Sequence, residues 1–236
     1  MHRFILRNKQ IRNKTIMFDE EQSHKIRKVL RMTIGDIVEV FDNSGWVYEV
    51  ELFKLTNEFT LGKIVSQKLF ERTAHITLFQ SLIKLPKIDF IIEKSVELGA
   101  DKIVFFQSAY SQINTKWIYR KHLSRWQRIA ESAAEQSGRV FVPQIIVDVR
   151  SFDDIIAESA DTDAFILHPD GEILSSKLLN HSHQIRFFVG PEGGFSHQEI
   201  NTAEKLGIRK IKLSNNILRS ETASLAFLSQ LALFMN

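Results

Sequence analysis

From Ala74 onward the chain alternates short apolar runs with amphipathic helical stretches, and no other feature limits the fold as strongly. Strands joined through helices run parallel, because each crossover returns the chain to the same end of the sheet. The expected class is therefore α/β with a mainly parallel sheet. Strands are expected at 75–83, 102–107, 144–149, 164–168, 185–189 and 210–213. One helix opens at Pro86 and closes at Gly99, with Ile88, Ile91, Ile92 and Ser95 on one face. A longer one over 115–137 puts Trp126, Ala130, Ala133 and Ala134 on its apolar side. Ser151 and Ser196 each open a capping-box pattern, the second with Glu199 as partner and Gly207 as the stop. The stretch from Glu221 to Met235 is apolar nearly all round, which predicts burial.

The first seventy residues follow a different pattern. Short apolar runs recur at 4–6, 37–41, 46–52 and 59–61, and the third alternates with period two as a half-buried strand does. Asp42-Asn43-Ser44-Gly45 reads as a hairpin loop, and one helix over 19–32 interrupts the strands. Closely spaced short strands predict a small barrel. The composition shifts near 70–73, so the expected domains are 1–72 and 73–236. Charge divides in the same way. The whole chain carries +3, yet residues 1–32 hold nine basic and three acidic residues, a local charge of +6. Such an arm suits a polyanionic partner, with a solvated basic face as the alternative. The absence of cysteine excludes disulfides, thiolate zinc sites and a cysteine nucleophile. No signal-peptide core is evident, and the most apolar stretch, 223–235, is too short to span a bilayer. The expectation is a cytoplasmic protein with no membrane partner.

Three expected strand ends run into irregular loops: Leu167-His168-Pro169-Asp170-Gly171, Gly190-Pro191-Glu192-Gly193-Gly194, and the stretch 214–222. In parallel sheets ligands bind outside the carboxyl ends of strands, so the three loops together suit one small ligand. The glycine loop leads into a capped helix, which suits a nucleotide-like group held by backbone amides; a plain tight turn is the alternative. It is neither a P-loop nor a Rossmann fingerprint. Arg219 stands at the mouth of an apolar helix, where a charge needs a partner. It either pairs with Glu221 or Glu192 or contacts a substrate or an anion. His24, His168 and His197 are scattered without metal-ligand spacing, so no metal is expected. Lys116-Trp117-Ile118-Tyr119-Arg120 mixes basic and aromatic residues as RNA-binding surfaces do, although Trp126 further along that helix reads as core.

Taken together, these residues resemble the bacterial 16S ribosomal RNA uridine-N3 methyltransferases, the small-subunit methyltransferase E family of the SPOUT superfamily. The likeness runs through nearly the whole chain. It is carried by Met1-His2-Arg3-Phe4, Gly35-Asp36, Lys84-Leu85-Pro86-Lys87, Glu97-Leu98-Gly99, Arg125-Trp126 and Glu135-Gln136-Ser137-Gly138-Arg139. Two further blocks, 189–196 and 217–223, match the cofactor loops. The chain departs at Leu213-Ser214, where Leu-Gly is usual, and at Ser220, where Thr is usual.

The resemblance implies an N-terminal PUA-like β-barrel, a C-terminal α/β domain with a deep trefoil knot, and a homodimer. It implies S-adenosylmethionine as cofactor, held by Leu167, His168 and Pro169 in the first loop and by Gly190, Pro191, Glu192, Gly193 and Gly194 in the second. In the third, Leu213, Ser214, Asn216, Ile217, Leu218, Thr222 and Ala223 are the expected contacts. Arg219 and Glu192 are the expected catalytic groups. RNA contacts are expected from Arg3, Arg7, His24, Arg27, Lys28, Arg31 and Arg139. The implied partner is small-subunit rRNA within the assembled small ribosomal subunit, and the implied reaction is methylation of uridine N3. A ribose 2′-O-methyltransferase of the same superfamily and a non-catalytic RNA-binding assembly factor are the competing readings.

Overall fold

The computed structural model describes residues 1–7, 11–111, 116–148, 150–159, 162–179 and 184–235, with the backbone alone for 116–120. It forms two compact units, Met1–Arg72 with Ala134–Val142, and Thr73–Ala133 with Pro143–Asn236.

The first unit contains β1 (Arg3–Ile5), β2 (Ile11–Arg12), β3 (Thr15–Phe18), α1 (Glu20–His24), β4 (Ile37–Phe41), β5 (Trp46–Leu55) and β6 (Thr60–Leu69). Its strands make one sheet in the order β1-β4-β5-β6-β3-β2. The β1–β4 pair is parallel and the others are antiparallel. Alternation along β5 sends Val50 and Leu52 inward, where they join Phe4, Ile16, Phe18, Ile26, Val38 and Val40 in the core. The β2–β3 hairpin turns on Asn13 and Lys14, both left-handed at φ +46° and +63°. An Asn-Lys pair lacks the glycine that makes such a two-residue turn readable in sequence. Strand β6 continues to Leu69, well past the short run at 59–61, because it pairs with β5 along its length.

The helix expected over 19–32 is shorter and changes form. A capping box between Asp19 and Gln22 starts α1, which widens into a π-helical turn at Lys25–Val29 with the Leu30 N–H on the Lys25 carbonyl at 2.8 Å. The turn stops beyond Leu30, where Arg31 adopts φ +54°. The expected contiguous boundary also needs correction, since Ala134–Val142 packs with the first unit. Polar contacts explain this. The Ile5 N–H donates to Glu135 Oε1 at 3.1 Å, Lys25 Nζ to Glu135 Oε2 at 2.8 Å, and the Val142 N–H to Asn43 Oδ1 at 2.7 Å.

The second unit contains β7 (His75–Ser81), α2 (Leu85–Glu97), β8 (Lys102–Phe106), α3 (Lys116–Ser137, whose last turn belongs to the first unit), β9 (Gln144–Val147) and α4 (Phe152–Ala157). It continues with β10 (Asp163–Ile173), β11 (Gln184–Val189), α5 (His197–Lys205), β12 (Arg209–Lys212) and α6 (Ser220–Met235). Its sheet order is β12-β10-β11-β7-β8-β9, and every pair is parallel. One face buries Phe79, Val104, Phe106, Phe152, Phe188, Ile200 and Ala203 in a single cluster, with Phe79 stacked on Phe188 at 4.5 Å. Phe187 stacks on Phe227 of α6 at 4.4 Å.

Helix α2 buries Ile88, Ile91, Ile92 and Ser95, the face read from its spacing. Trp126 is core, with its indole N–H on Asp89 Oδ1 at 3.1 Å. The side chains of the Lys116–Arg120 run, and Val149, lie outside the described residues. Helix α6 does not fulfil the expectation of burial all round. It buries Ser220, Ser224, Phe227, Leu228 and Leu231, one face, while Leu233 is 75% exposed and Phe234 and Met235 are also open.

Helix α5 begins at the expected box. Ser196 Oγ accepts from the Glu199 N–H at 3.2 Å, and Glu199 Oε2 accepts from the Ser196 N–H at 2.8 Å. Ser196→Ala is expected to cost about 1 kcal/mol, as for other lost N-caps. Thermal melts should show a drop of about 2–4 °C.

Candidate functional site

Strand β10 is interrupted where a loop was expected to follow it. Leu167 and Glu172 both pair with Ile211 of β12, so the residues between them bulge out of the sheet and the strand then resumes. The expected strand end at His168 is therefore the start of a bulge. Gly171 makes the return possible. A Cβ there would lie 2.6 Å from backbone atoms of Ile211 and Lys210, closer than any real side chain can sit. The His168 ring, within the bulge, accepts the Asp170 N–H at Nδ1 (3.2 Å).

Beyond β12 the chain folds back through 213–218. Ser214 Oγ accepts the Asn216 N–H at 3.1 Å, and Gln230 Nε2 of α6 donates to the Leu213 carbonyl at 3.2 Å. Ser214 replaces the glycine usual in the resembled family without strain, since its φ is not in the left-handed region. Its hydroxyl instead braces the loop.

The bulge and this loop enclose a cavity of about 260 Å³. That is close to the lower end of small-molecule sites, roughly 300–1,000 Å³. Leu167, His168 and Pro169 form one side. Leu213, Ser214, Asn216, Ile217, Leu218 and Ala223 form the rest, together with Ile211, Lys212 and Asn215. Ile211 and Lys212, at the end of the final strand, were missed in the sequence, whereas Asn215 lies within the loop expected there. Leucine, isoleucine, proline and alanine side chains share the walls with His168, Lys212, Ser214, Asn215 and Asn216.

The glycine loop and Thr222 are not part of this lining. The Gly190 carbonyl instead accepts from Ser220 Oγ at 2.6 Å, which ties the loop to the start of α6. Gly194 closes the turn at φ +73°, with its N–H on the Pro191 carbonyl at 2.9 Å. Gly193 backs onto Tyr110, whose Cβ would be 3.2 Å from an added Cβ.

The carboxylates named as partners for Arg219 are taken by a lysine. Lys87 Nζ, on α2, lies 3.0 Å from Glu221 Oε2 and 3.4 Å from Glu192 Oε1. Arg219 is exposed, and among the described residues its guanidinium makes no ion pair or hydrogen bond. Its charge still reaches Glu221. Burial pushes the Glu221 carboxyl up, but its own backbone N–H, the Lys87 hydrogen bond and the charges of Lys87 and Arg219 outweigh this and hold it below the ordinary range. The hydrogen bond to Glu221 holds the Lys87 ammonium above its ordinary value, against the opposing effect of burial.

These shifts fix a pH window. Stabilisation through Glu221 is present above its unfolded value of 4.5 and is lost as pH falls through the lower folded value. Stabilisation through Lys87 is present below 10.5 and is lost as pH rises through the higher folded value. Lys87→Met should therefore lower the melting temperature by a constant increment from about pH 5.5 to 9.5, shrinking in stronger acid or base. Melts of both proteins across that range check it; a decrement that changes sign or vanishes at neutral pH would show that the pair does not act this way.

The basic residues of the first unit divide into two groups. Arg3 Nε pairs with Glu39 at 2.5 Å, and Arg7 pairs with Glu21 at 2.7 Å. Arg27 donates to the Asn57 carbonyl at 2.7 Å. Much of the arm's charge is thus engaged within the unit. His24, Lys28 and Arg31 are exposed around the π-helical turn, and Arg139 is half-buried just past the end of α3. Among the described residues no group of three or more His, Asp or Glu is placed to hold a metal ion.

Residues 71–232 match a family model described as an RNA methyltransferase domain, and residues 18–65 match one described as an RNA methyltransferase PUA domain. The ribosomal RNA small subunit methyltransferase E of Buchnera aphidicola subsp. Acyrthosiphon pisum is 31% identical over 225 residues, 93% of this chain and 88% of that protein. Its namesake in Bacillus subtilis is 31% identical over 231 residues, 92% of this chain and 90% of that protein. A crystal structure of a ribosomal RNA small subunit methyltransferase E from Neisseria gonorrhoeae bound to S-adenosyl methionine aligns with a TM-score of 0.87 at 29% identity. It covers 99% of this chain and 97% of that one.

Proposed function

The chain belongs to the ribosomal RNA small subunit methyltransferase E family, and from that premise we propose that it methylates N3 of a uridine in small-subunit rRNA, using S-adenosylmethionine. The substrate in this reading is the assembled small ribosomal subunit in the cytoplasm. One observation carries it: the cavity at the β10 bulge and the 213–218 loop is followed in the chain directly by the exposed Arg219.

The cavity suits the cofactor's adenosine. Apolar side chains of Leu167, Pro169, Ile217, Leu218 and Ala223 offer faces for a flat ring, and the backbone of the two loops offers hydrogen-bonding groups for its edges. The approach of Gly171 to Ile211 leaves no slack in the wall behind it. When bound, S-adenosylmethionine supplies a methyl group already activated on a sulfonium.

The protein's own part is alignment and proton handling. Arg219, not held by any carboxylate, orients the uracil and stabilises the negative charge that grows on its oxygen as the N3 proton leaves. Arginine stays protonated and cannot take that proton. Glu221 is a poor acceptor because its proton affinity is depressed by Lys87 and Arg219. Glu192 and water remain, and Glu192 sits in the same cluster, beside Lys87. Transfer of labelled methyl groups to purified small subunits tests the reading: incorporation is expected, and its absence overturns the proposal.

We assign RNA contact in the first unit to the exposed group at the π-helical turn, Lys28 and Arg31 with His24. A Lys28→Ala, Arg31→Ala double variant should flatten the salt dependence of rRNA binding by about two units of slope, one per phosphate contact. Arg3→Ala should leave the slope nearly unchanged, because Glu39 already neutralises that arginine. Binding titrations at several salt concentrations decide between them; an unaltered slope in the double variant would place the RNA elsewhere.

A homodimer and a trefoil knot complete the proposal. Exposed Leu233, Phe234 and Met235 at the end of α6 support the first, as apolar surface left open on one chain. Strand β11 lies between β7 and β10 although it follows both in the chain, which supports the second.

A further inference from the structure

Gln80, at the end of the central strand β7, is fully buried and lies outside the cavity. It pairs in register with Val189, the residue before Gly190. All of its side-chain polar atoms are used. Nε2 donates to Ser220 Oγ at 2.9 Å and to the Ser81 carbonyl at 3.1 Å, while Oε1 accepts from Ser224 Oγ at 2.6 Å. Ser220 Oγ passes its own proton on to the Gly190 carbonyl at 2.6 Å. The Ser224 hydroxyl also lies 3.1 Å from the Ser220 carbonyl, so its one proton is shared between that oxygen and Gln80 Oε1, while a flipped amide would set its oxygen against the Ser81 carbonyl.

The relay joins two segments that carry the candidate chemistry. One is the glycine loop, with Glu192 two residues beyond Gly190. The other is the start of α6, where Ser220 follows Arg219. We propose that Gln80 is a positioning residue, which fixes Arg219 and the glycine loop in one geometry through Ser220 and Ser224. Its loss takes from Ser220 Oγ the donor it accepts from and leaves Ser224 Oγ only the Ser220 carbonyl, so the start of α6, where Ser220 adjoins Arg219, loses its side-chain tether to β7. The proposal rests on the methyltransferase reading above.

Gln80→Met, close in volume but without the amide, is the test. Turnover at saturating cofactor and rRNA should fall about tenfold, while calorimetric affinity for S-adenosylmethionine changes less than threefold, because Gln80 does not line the cavity. Hydrogen exchange should quicken at the amides of 190, 192–195 and 220–224 and stay unchanged in the first unit. A Gln80→Met, Ser224→Ala double variant should be no slower than Gln80→Met alone, since both act through one relay. Wild-type turnover and exchange in folded Gln80→Met would overturn the proposal. So would a loss confined to melting temperature, or rate effects that multiply in the double variant. If Gln80→Met does not fold, Ser224→Ala removes one hydroxyl with little void and must show the same pattern at smaller size; unchanged turnover and exchange there would count against the relay. A wild-type protein that methylates nothing would defeat the methyltransferase reading instead, and the exchange measurements would still test the coupling.

Discussion

Replacing Arg219 with alanine is expected to slow methyl transfer roughly 10²-fold, a loss of about 3 kcal/mol of transition-state stabilisation, comparable to removing one oxyanion donor. The argument starts from what the guanidinium does not do. It is exposed, and Lys87 occupies both carboxylates that would otherwise neutralise it. Its removal therefore breaks no ion pair and leaves no buried charge behind. Fold and melting temperature should change little, and cofactor affinity should stay within a few fold. Single-turnover methylation at saturating cofactor and RNA is the measurement. A near-normal rate would remove Arg219 from the mechanism, and a large drop in melting temperature would make it a structural residue.

Gly171→Val is expected to damage both the fold and the cavity. Even a single added Cβ meets backbone atoms of Ile211 and Lys210 at 2.6 Å, and backbone in a paired strand cannot step aside as a flexible side chain can. Over-packing of this kind costs about 1–3 kcal/mol, and valine's further methyl groups place it at the upper end. The melting temperature should fall by about 6–12 °C, at 2–4 °C per kcal/mol for a chain of this size. Because Ile211 lines the cavity, cofactor affinity of the remaining folded protein should fall at least tenfold. Calorimetry and melting of the same sample check both parts. Unchanged affinity would show that the β10–β12 approach does not shape the ligand wall.

Local signals made part of this structure legible. The capping box at Ser196, the apolar face of α2 and the alternation of β5 all depend on residues close in sequence, so periodicity and caps reveal them. The parallel sheet followed from strands separated by helices. What escaped was built by pairing at a distance. Strand β6 is polar and mostly exposed beyond Ile64, and it is a strand because β5 lies beside it. The segment 134–142 joins the first unit through Glu135 and Asn43, contacts that no local pattern announces.

The site divides along the same line. The break within β10 and the loop after β12 were readable as ends of apolar runs, and they meet in one cavity. The bulge that returns β10 to the sheet was not readable, because it depends on how close Gly171 comes to a strand some forty residues away. Nothing local in the sequence marks Lys87 as the partner of Glu221 and Glu192. Only the fold brings α2 beside the start of α6, and that placement decides which cation holds Glu221.

The most direct test of the account is to map the methyl group. Small-subunit rRNA treated with the protein and S-adenosylmethionine, and then digested to nucleosides, should yield N3-methyluridine by mass spectrometry. Untreated rRNA from cells lacking the protein should lack that nucleoside at the same position. A methyl group found on a ribose 2′-oxygen, or no new methylated nucleoside at all, would contradict the account.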